Sequence, residues 1–201
     1  LEPPGFDIHS SEGMDINELG EVVGVFTEQE HPHLRHGFYY SSALDFYWVT
    51  DPFFELRGIN NSGEMVGNMT DVAWRGLYWS GPAAEPWDLP PLPGEESGVY
   101  GGINDAGLVA GWSWNGVEGV VTPVVWRITA TGVAGPLVLP ALPWHVNAVA
   151  TNIGPSNANG VAVVVGASGP YPGEISVSWK VKAKADGTLV LLDGPVDLGS
   201  L

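Results

Sequence analysis

Apolar residues along this chain occur in short runs that are bounded by glycine, asparagine, aspartate and proline. Residues 21–27, 64–69 and 108–114 are examples, and each has the length of a β-strand. No segment of a dozen residues repeats apolar positions at the 3.6-residue period of a helix. The pattern therefore predicts an all-β protein with almost no helix.

One segment of ten residues occurs three times, at 15–24, 58–67 and 102–111. Its asparagines, Asn17, Asn60 and Asn104, are 43 and 44 residues apart, and Asn157 stands in a degraded fourth copy 53 residues later. A period in the forties is typical of repeat proteins, in which one unit cannot bury its apolar face alone. We therefore expect four similar units.

Each unit contains the signals of four short strands. The first two are joined by Asn-x-x-Gly, in which asparagine suits the first position of a type I turn and glycine the last. These predicted turns are Asn17 to Gly20, Asn60 to Gly63, Asn104 to Gly107 and Asn157 to Gly160. The second strand holds a glycine that predicts a bulge or a close backbone contact. The third carries aromatic residues, of which Trp79, Trp126 and Trp179 recur in register and are predicted to be core.

The predicted fold is a single β-propeller-like domain of four blade-like repeats, each of about 43–55 residues and four short antiparallel strands. The approximate units are 6–48, 49–89, 90–139 and 140–198. Residues 6–8 and 196–201 both resemble the outer strand of a unit. Two outcomes are open: the termini meet and complete one blade, or the chain is a segment of a longer array.

Charge and composition narrow the class of partner. Lys and Arg number 7 against 23 Asp and Glu, which gives a formal net charge of −16. Nucleic acid and anionic membrane surfaces need clustered cations, so we predict neither as a partner. The run Lys180, Lys182 and Lys184 is expected to be one solvated strand face. No apolar stretch approaches the roughly 20 residues of a membrane span.

Two further features of the chain limit its chemistry and origin. The absence of cysteine excludes disulfides, thiolate metal sites and cysteine nucleophiles. Because the chain starts at Leu1 without a methionine or a leader, we expect a mature or trimmed segment.

The repeated motif resembles a known family. Ile-Asn-x-x-Gly-x-Val-Val-Gly, the following His36-Gly37-Phe38 and the terminal Asp-Leu-Gly-Ser-Leu are similar to the HAF repeats of bacterial extracellular proteins. Residues 75–77 and 122–124 depart from the His-Ala-Phe triplet, and the fourth unit has two extra residues between Gly160 and Gly166. The resemblance implies export and a propeller-like β repeat. It implies no defined activity and no catalytic residues.

The densest group of potential metal ligands is His31, His33 and His36. Imidazoles two positions apart on a strand share a face and can bind zinc or copper. The alternative is structural, because His36 occupies a repeat position and the other two histidines fall in a loop interrupted by Pro32. Both interpretations remain open at the level of sequence.

Carboxylates are abundant, and a pair of them could hydrolyse a glycosidic bond. The candidates among the aspartates are Asp7, Asp15, Asp45, Asp51, Asp71, Asp88 and Asp105. No nucleophile elbow, phosphate-binding glycine loop or EF-hand spacing is present. We therefore predict a protein that is not an enzyme and needs no cofactor, with glycoside hydrolysis as an alternative.

Nine tryptophans exceed what a core of this size usually requires. Four of them do not recur with the repeat and fall near predicted loops: Trp74, Trp112, Trp114 and Trp144. Aromatic faces of this kind can stack on sugar rings, and the competing interpretation is that they cover edges of the core. The sequence thus predicts a secreted binding or scaffold module that contacts a glycan, a protein or copies of itself. A structural subunit of an extracellular assembly is the alternative.

Overall fold

The computed structural model describes residues 3–170 and 173–199, and this part of the chain is all-β, as predicted. It forms four antiparallel sheets of four strands each. The described residues contain no helix and therefore no helix that could cross a membrane. Within the same residues the sheets do not close into a barrel.

The four sheets follow one another along the chain. Sheet 1 contains β1 (Ile8–Ile16), β2 (Glu21–Glu28), β3 (Arg35–Ser41) and β4 (Phe46–Val49). Sheet 2 contains β5 (Phe54–Ile59), β6 (Met65–Met69), β7 (Arg75–Trp79) and β8 (Trp87–Asp88). Sheet 3 contains β9 (Glu96–Ile103), β10 (Leu108–Asn115), β11 (Val120–Thr129) and β12 (Gly132–Val138). Sheet 4 contains β13 (Ala148–Ile153), β14 (Val161–Ser168), β15 (Ile175–Ala183) and β16 (Leu189–Asp197).

Each sheet is a simple meander in which neighbours in sequence are neighbours in space. The strand nearest the N-terminus, β1, pairs with β2, and the last strand, β16, pairs with β15. The described termini therefore belong to different sheets and do not complete one sheet together. Residues 200 and 201 of the predicted outer strand lie outside the described residues.

The Asn-x-x-Gly segments form the same turn in all four sheets. In sheet 2, Gly63 donates its backbone N–H to the carbonyl of Asn60 at 3.1 Å, and φ of Gly63 is 75°. The side-chain Oδ1 of Asn60 accepts from the backbone N–H groups of Ser62 and Glu64, both at 3.0 Å. Asparagine is needed because its oxygen replaces the missing backbone acceptors, and glycine because the last position is left-handed.

A glycine in the second strand of each sheet lies against backbone of the first strand. A Cβ atom added at Gly67 would stand 1.8 Å from the carbonyl oxygen of Glu55, and the β5–β6 register shifts at the same level, between Leu56 and Gly58. Gly24, Gly111 and Gly166 show equivalent close approaches to β1, β9 and β13. Glycine at this position therefore permits the bulge that ends regular pairing near the turn.

The sheets pack in sequence order, and the first strand of each sheet contacts the sheet before it. Three apolar clusters fill the spaces between sheets 1 and 2, 2 and 3, and 3 and 4. The recurring tryptophans Trp79, Trp126 and Trp179 belong to these clusters and are at most 2% exposed. The indole N–H of Trp126 donates to the carbonyl of Pro90, and that of Trp179 to the carbonyl of Pro140, both at 2.8 Å. Trp126 and Trp179 thus fill the core and also satisfy their one polar side-chain atom.

A polar seam joins the sheets at the turns. We use the name turn seam for Asn17, Glu18, Asn60, Asn61, Asn104, Asp105 and Asn157. Asn17 Nδ2 donates to the carbonyl of Asn60, Asn60 Nδ2 to that of Asn104, and Asn104 Nδ2 to that of Gly154. Each donor lies in one sheet and its acceptor in the next, so the seam has a direction along the array.

Two of the turns also carry a carboxylate and a tyrosine. In sheet 1, Glu21 accepts from Asn17 Nδ2 at 2.6 Å and from the Tyr39 hydroxyl at 2.7 Å. Glu64 and Tyr78 repeat the arrangement in sheet 2. Burial and the bond to Glu21 raise the pKa of Tyr39 to about 12, and the pKa of Tyr78 is raised for the same reasons.

Candidate ligand-binding site

An aromatic cleft lies where the loop before β7 meets sheet 3. We define the aromatic cleft by Trp74, Tyr100, Trp112, Trp114 and Val121, and its volume is about 260 Å³. Trp112 and Trp114 lie two positions apart on β10 and therefore point to the same side of the strand. Three of the four tryptophans predicted to bind a ligand thus line one concave surface.

Trp112 is held by its neighbour on β9. It pairs with Gly98, and a Cβ atom at Gly98 would stand 2.2 Å from Trp112 Cζ2. The indole ring therefore occupies the space that a side chain at Gly98 would fill. Its Nε1 atom is buried and has no hydrogen-bond acceptor among the described residues.

Trp74 is brought to the cleft by two hydrogen bonds that its backbone forms with residues of β9. Its N–H donates to Glu96 Oε2 at 3.1 Å, and its carbonyl accepts from Ser97 N at 3.3 Å. The Trp74 and Trp112 rings are then 5.9 Å apart at an angle of 61°. This edge-to-face contact leaves the Trp74 side chain 39% exposed, so its ring remains accessible to a ligand.

Tyr100, which was not predicted as a ligand-binding residue, is 54% exposed in the middle of β9. The sequence contained one indication, because a large tyrosine stands between Gly98 and the pair Gly101 and Gly102. Glycines around an aromatic residue remove competing side chains from a surface. The spacing makes room for the Trp112 ring only because Gly98 pairs with Trp112. That pairing depends on the β9–β10 register, which the sequence alone does not provide.

A second, more polar cavity adjoins the cleft and shares Tyr100 and Val121 with it. This cavity has a volume of about 180 Å³, and Asn147 and Glu174 contribute polar side chains to its lining. Asn147 Oδ1 accepts from Val121 N at 3.0 Å, which fixes the amide at the border between sheets 3 and 4. Aromatic faces and orienting polar groups therefore lie side by side.

The fourth predicted tryptophan, Trp144, lies apart from these two cavities. It is in the segment between β12 and β13, has φ of 67° and is 95% exposed. Neither cavity includes it in its lining.

The histidines predicted as metal ligands occupy different environments. His36 is 5% exposed and stacks on Phe26, with ring centroids 5.0 Å apart. Its Nδ1 lies 3.2 Å from the carbonyl of Thr50, and its Nε2 lies 3.2 Å from Glu28 Oε1 outside hydrogen-bonding geometry. His31 and His33 lie on the preceding loop, with ring centroids 6.2 Å apart. Residues 3–170 and 173–199 contain no group of three or more side chains placed to hold a metal ion.

The seven candidate aspartates lie in three kinds of environment. Asp15 and Asp105 accept hydrogen bonds from the neighbouring sheet, from Ile59 N and from Asn61, and Asp88 pairs with Arg75. Asp51 lines a cavity of about 330 Å³ between sheets 1 and 2, together with Glu85, Trp48 and Phe54. The other three candidates, Asp7, Asp45 and Asp71, line none of these cavities.

The comparisons with known proteins add no family. The chain matches no protein-family model and no curated protein.

Proposed function

We propose that the protein is a secreted, non-enzymatic binding module whose aromatic cleft holds a glycan. The observation that supports this proposal is the convergence of Trp74, Trp112 and Trp114 with Tyr100 around one concave surface. A pyranose ring has an apolar face of C–H groups and a polar edge of hydroxyls. Aromatic rings pack against the apolar face, and a few polar groups bind the hydroxyls and orient the sugar.

The adjoining polar cavity supports the same ligand class. An oligosaccharide that stacks on Tyr100 reaches Asn147 and Glu174 from the same position, because Tyr100 lines both cavities. Amide and carboxylate groups are suitable partners for sugar hydroxyls. The two cavities together favour a ligand of more than one sugar unit.

The proposal includes a propeller-like arrangement of the four sheets and export from a bacterial cell. The arrangement is supported by a shared depression that the turns of all four sheets line, with Ile16, Ile59, Ile103 and Ile153 among its residues. The resemblance to HAF repeats supports export. The cleft then lies between neighbouring sheets, where variable loops can change its lining without disturbing the repeat.

The test is isothermal titration calorimetry with cellohexaose, chitohexaose and mannohexaose. We expect one of these oligosaccharides to bind, and we expect Tyr100→Ala and Trp74→Ala each to weaken that binding about tenfold, or about 1.4 kcal/mol. Both residues are substantially exposed, so neither change opens the core. Trp144→Ala is the matched control, and its affinity should stay within about twofold of the unmodified chain.

Two results would contradict the glycan proposal. One is that none of the three oligosaccharides binds. The other is that Trp144→Ala weakens binding as strongly as Tyr100→Ala, because Trp144 is outside the cleft.

Glycoside hydrolysis is the second candidate function, and one observation favours it. Asp51 and Glu85 line the same cavity as Trp48, which is the combination of two carboxyl groups and an aromatic platform that such enzymes use. If this candidate is right, incubation with the three oligosaccharides releases new reducing ends, and Asp51→Asn or Glu85→Gln abolishes the release. Product formation that survives both changes would argue against these two carboxyl groups.

A further inference from the structure

The outer face of sheet 4 is more exposed and more polar than the faces that are buried between sheets. We define this outer face by Ser176, Ser178, Lys180 and Lys182 on β15 and by Val163 and Val165 on β14. These residues alternate with Val177, Trp179 and Val181, which are buried against sheet 3. Val163 and Val165 are 43% and 39% exposed, whereas the central residues of β6 and β10 are buried on both sides. Sheet 4 therefore presents one accessible face.

Charge is distributed unevenly along the array. All three lysines of the chain, Lys180, Lys182 and Lys184, are on or directly after β15. Residues 3–50, which form sheet 1, contain eight acidic residues and one arginine. Lys180 lies 3.3 Å from Asp193, while Lys182 and Lys184 form no ion pair with described residues. The lysine side chains of β15 and the acidic residues of sheet 1 therefore lie at opposite ends of the array.

The turn seam has unused groups at the same two ends. Asn157 occupies the position from which Asn17, Asn60 and Asn104 donate to the next sheet, but within the described residues its Nδ2 donates to no acceptor. At the other end, the carbonyl of Asn17 accepts, among the described residues, only from Gly20 in its own turn. In the inner sheets the equivalent carbonyl, that of Asn60 or Asn104, also accepts from the sheet before. In the part of the chain that the structure describes, sheet 4 therefore has a free donor, Asn157 Nδ2, and sheet 1 has a carbonyl, that of Asn17, that can accept a further hydrogen bond.

We propose that the outer face of sheet 4 docks on sheet 1 of a second copy of this chain. The contact continues the order of sheets 1 to 4, with Asn157 donating to the Asn17 carbonyl of the second copy. Lys182 lies near its acidic turn, which includes Glu18. The interface is head-to-tail, because the two surfaces that meet are different, and such contacts form rings or open arrays.

Sedimentation equilibrium of the whole chain tests this proposal over micromolar to millimolar concentrations, at low and high salt. We expect an average mass above one chain that rises with concentration. The association should weaken in high salt because exposed charges are screened. A mass of one chain throughout, at low salt and millimolar concentration, would overturn the proposal.

Charge reversal at each end separates head-to-tail docking from symmetric pairing. Lys182→Glu and Glu18→Lys should each weaken self-association at least tenfold, whereas their equimolar mixture should associate again, because every contact between the two variants places a lysine opposite a glutamate. Symmetric pairing through sheet 4 would leave Glu18→Lys as strongly associated as the unmodified chain, and that result would refute the inference. Arg75→Glu on sheet 2 changes the net charge as much as Lys182→Glu does and should leave association unchanged. Near-ultraviolet circular dichroism verifies that each variant is folded.

Discussion

Asn60 donates a hydrogen bond from its side-chain Nδ2 to the backbone carbonyl of Asn104, which lies 44 residues further along the chain, at 3.2 Å. The same side chain accepts two backbone hydrogen bonds in its own turn. One buried amide therefore shapes a turn within sheet 2 and connects that sheet to sheet 3. This double role explains why asparagine, rather than another turn residue, recurs with the repeat.

Replacing Asn60 should test the double role. Asn60→Ala removes two acceptor bonds and the donor bonds to Glu64 and Asn104, and it leaves buried backbone groups unsatisfied. We expect the free energy of unfolding to fall by about 3 kcal/mol, as measured by urea denaturation. Asn157→Ala is the matched control, because Asn157 is exposed and its side chain, within residues 3–170 and 173–199, forms hydrogen bonds only in its own turn. Its cost should be about 1 kcal/mol, and equal costs would show that the inter-sheet bond contributes nothing.

Gly67 should tolerate no side chain. Because a Cβ atom there would stand 1.8 Å from the carbonyl oxygen of Glu55, Gly67→Ala must separate β5 from β6. We expect a loss of about 3 kcal/mol or more in the free energy of unfolding. Gly13→Ala on β1 is the control, since the nearest atom to its added Cβ is 3.8 Å away. A Gly67→Ala variant as stable as the Gly13→Ala variant would contradict the close approach.

The repeat was predictable because its residues determine the backbone conformation of their immediate neighbours in sequence. The Asn-x-x-Gly turns and the glycine of the second strand depend on backbone geometry that a few neighbours determine, so their spacing was sufficient to predict four similar units of four strands. Sheet 1 was harder, because β1 is a mostly polar strand whose pairing comes from backbone hydrogen bonds to β2 rather than from an apolar pattern. The position of its fourth strand, Phe46–Val49, was likewise not predicted.

The aromatic cleft was predictable only in part, for a different reason. Trp74, Trp112 and Trp114 stand out because they do not recur with the repeat. Their convergence with Tyr100 depends on contacts between two sheets and on the β9–β10 register, which are not properties of a local pattern. Trp144 also does not recur with the repeat and is also near a predicted loop, but it lies outside the cleft.

Glu55 tests how much a buried ion pair contributes to the free energy of unfolding. Its carboxylate is 1% exposed and pairs with Arg35 at 2.8 Å and with Arg57 at 2.5 Å. Glu55→Ala leaves the partly buried Arg57 guanidinium without its partner, and we expect a loss of about 3 kcal/mol in the free energy of unfolding. Asp88→Ala breaks the exposed pair with Arg75 and should cost no more than about 1 kcal/mol. Similar losses in the two variants would mean that burial does not distinguish these pairs.

The Tyr39 and Tyr78 hydroxyls should make the fold sensitive to alkali. Burial, followed by the hydrogen bond to Glu21, raises the pKa of Tyr39 from 10.0 to about 12, and the pKa of Tyr78 is also raised. A raised pKa means that the folded state favours the protonated phenol. The stabilisation is therefore complete below pH 10 and is lost as the pH rises through about 12.

Urea denaturation between pH 8 and pH 11 measures this loss as a falling free energy of unfolding. The double variant Tyr39→Phe and Tyr78→Phe should be less stable by about 2 kcal/mol at pH 8, because Glu21 and Glu64 each lose a donor. Its stability should then decline less steeply with pH than that of the unmodified chain, since two of the groups that must ionise are gone. Tyr100→Phe is the control, because Tyr100 is exposed and should leave the slope unchanged. An unchanged slope in the double variant would show that these two hydroxyls do not cause the alkaline loss.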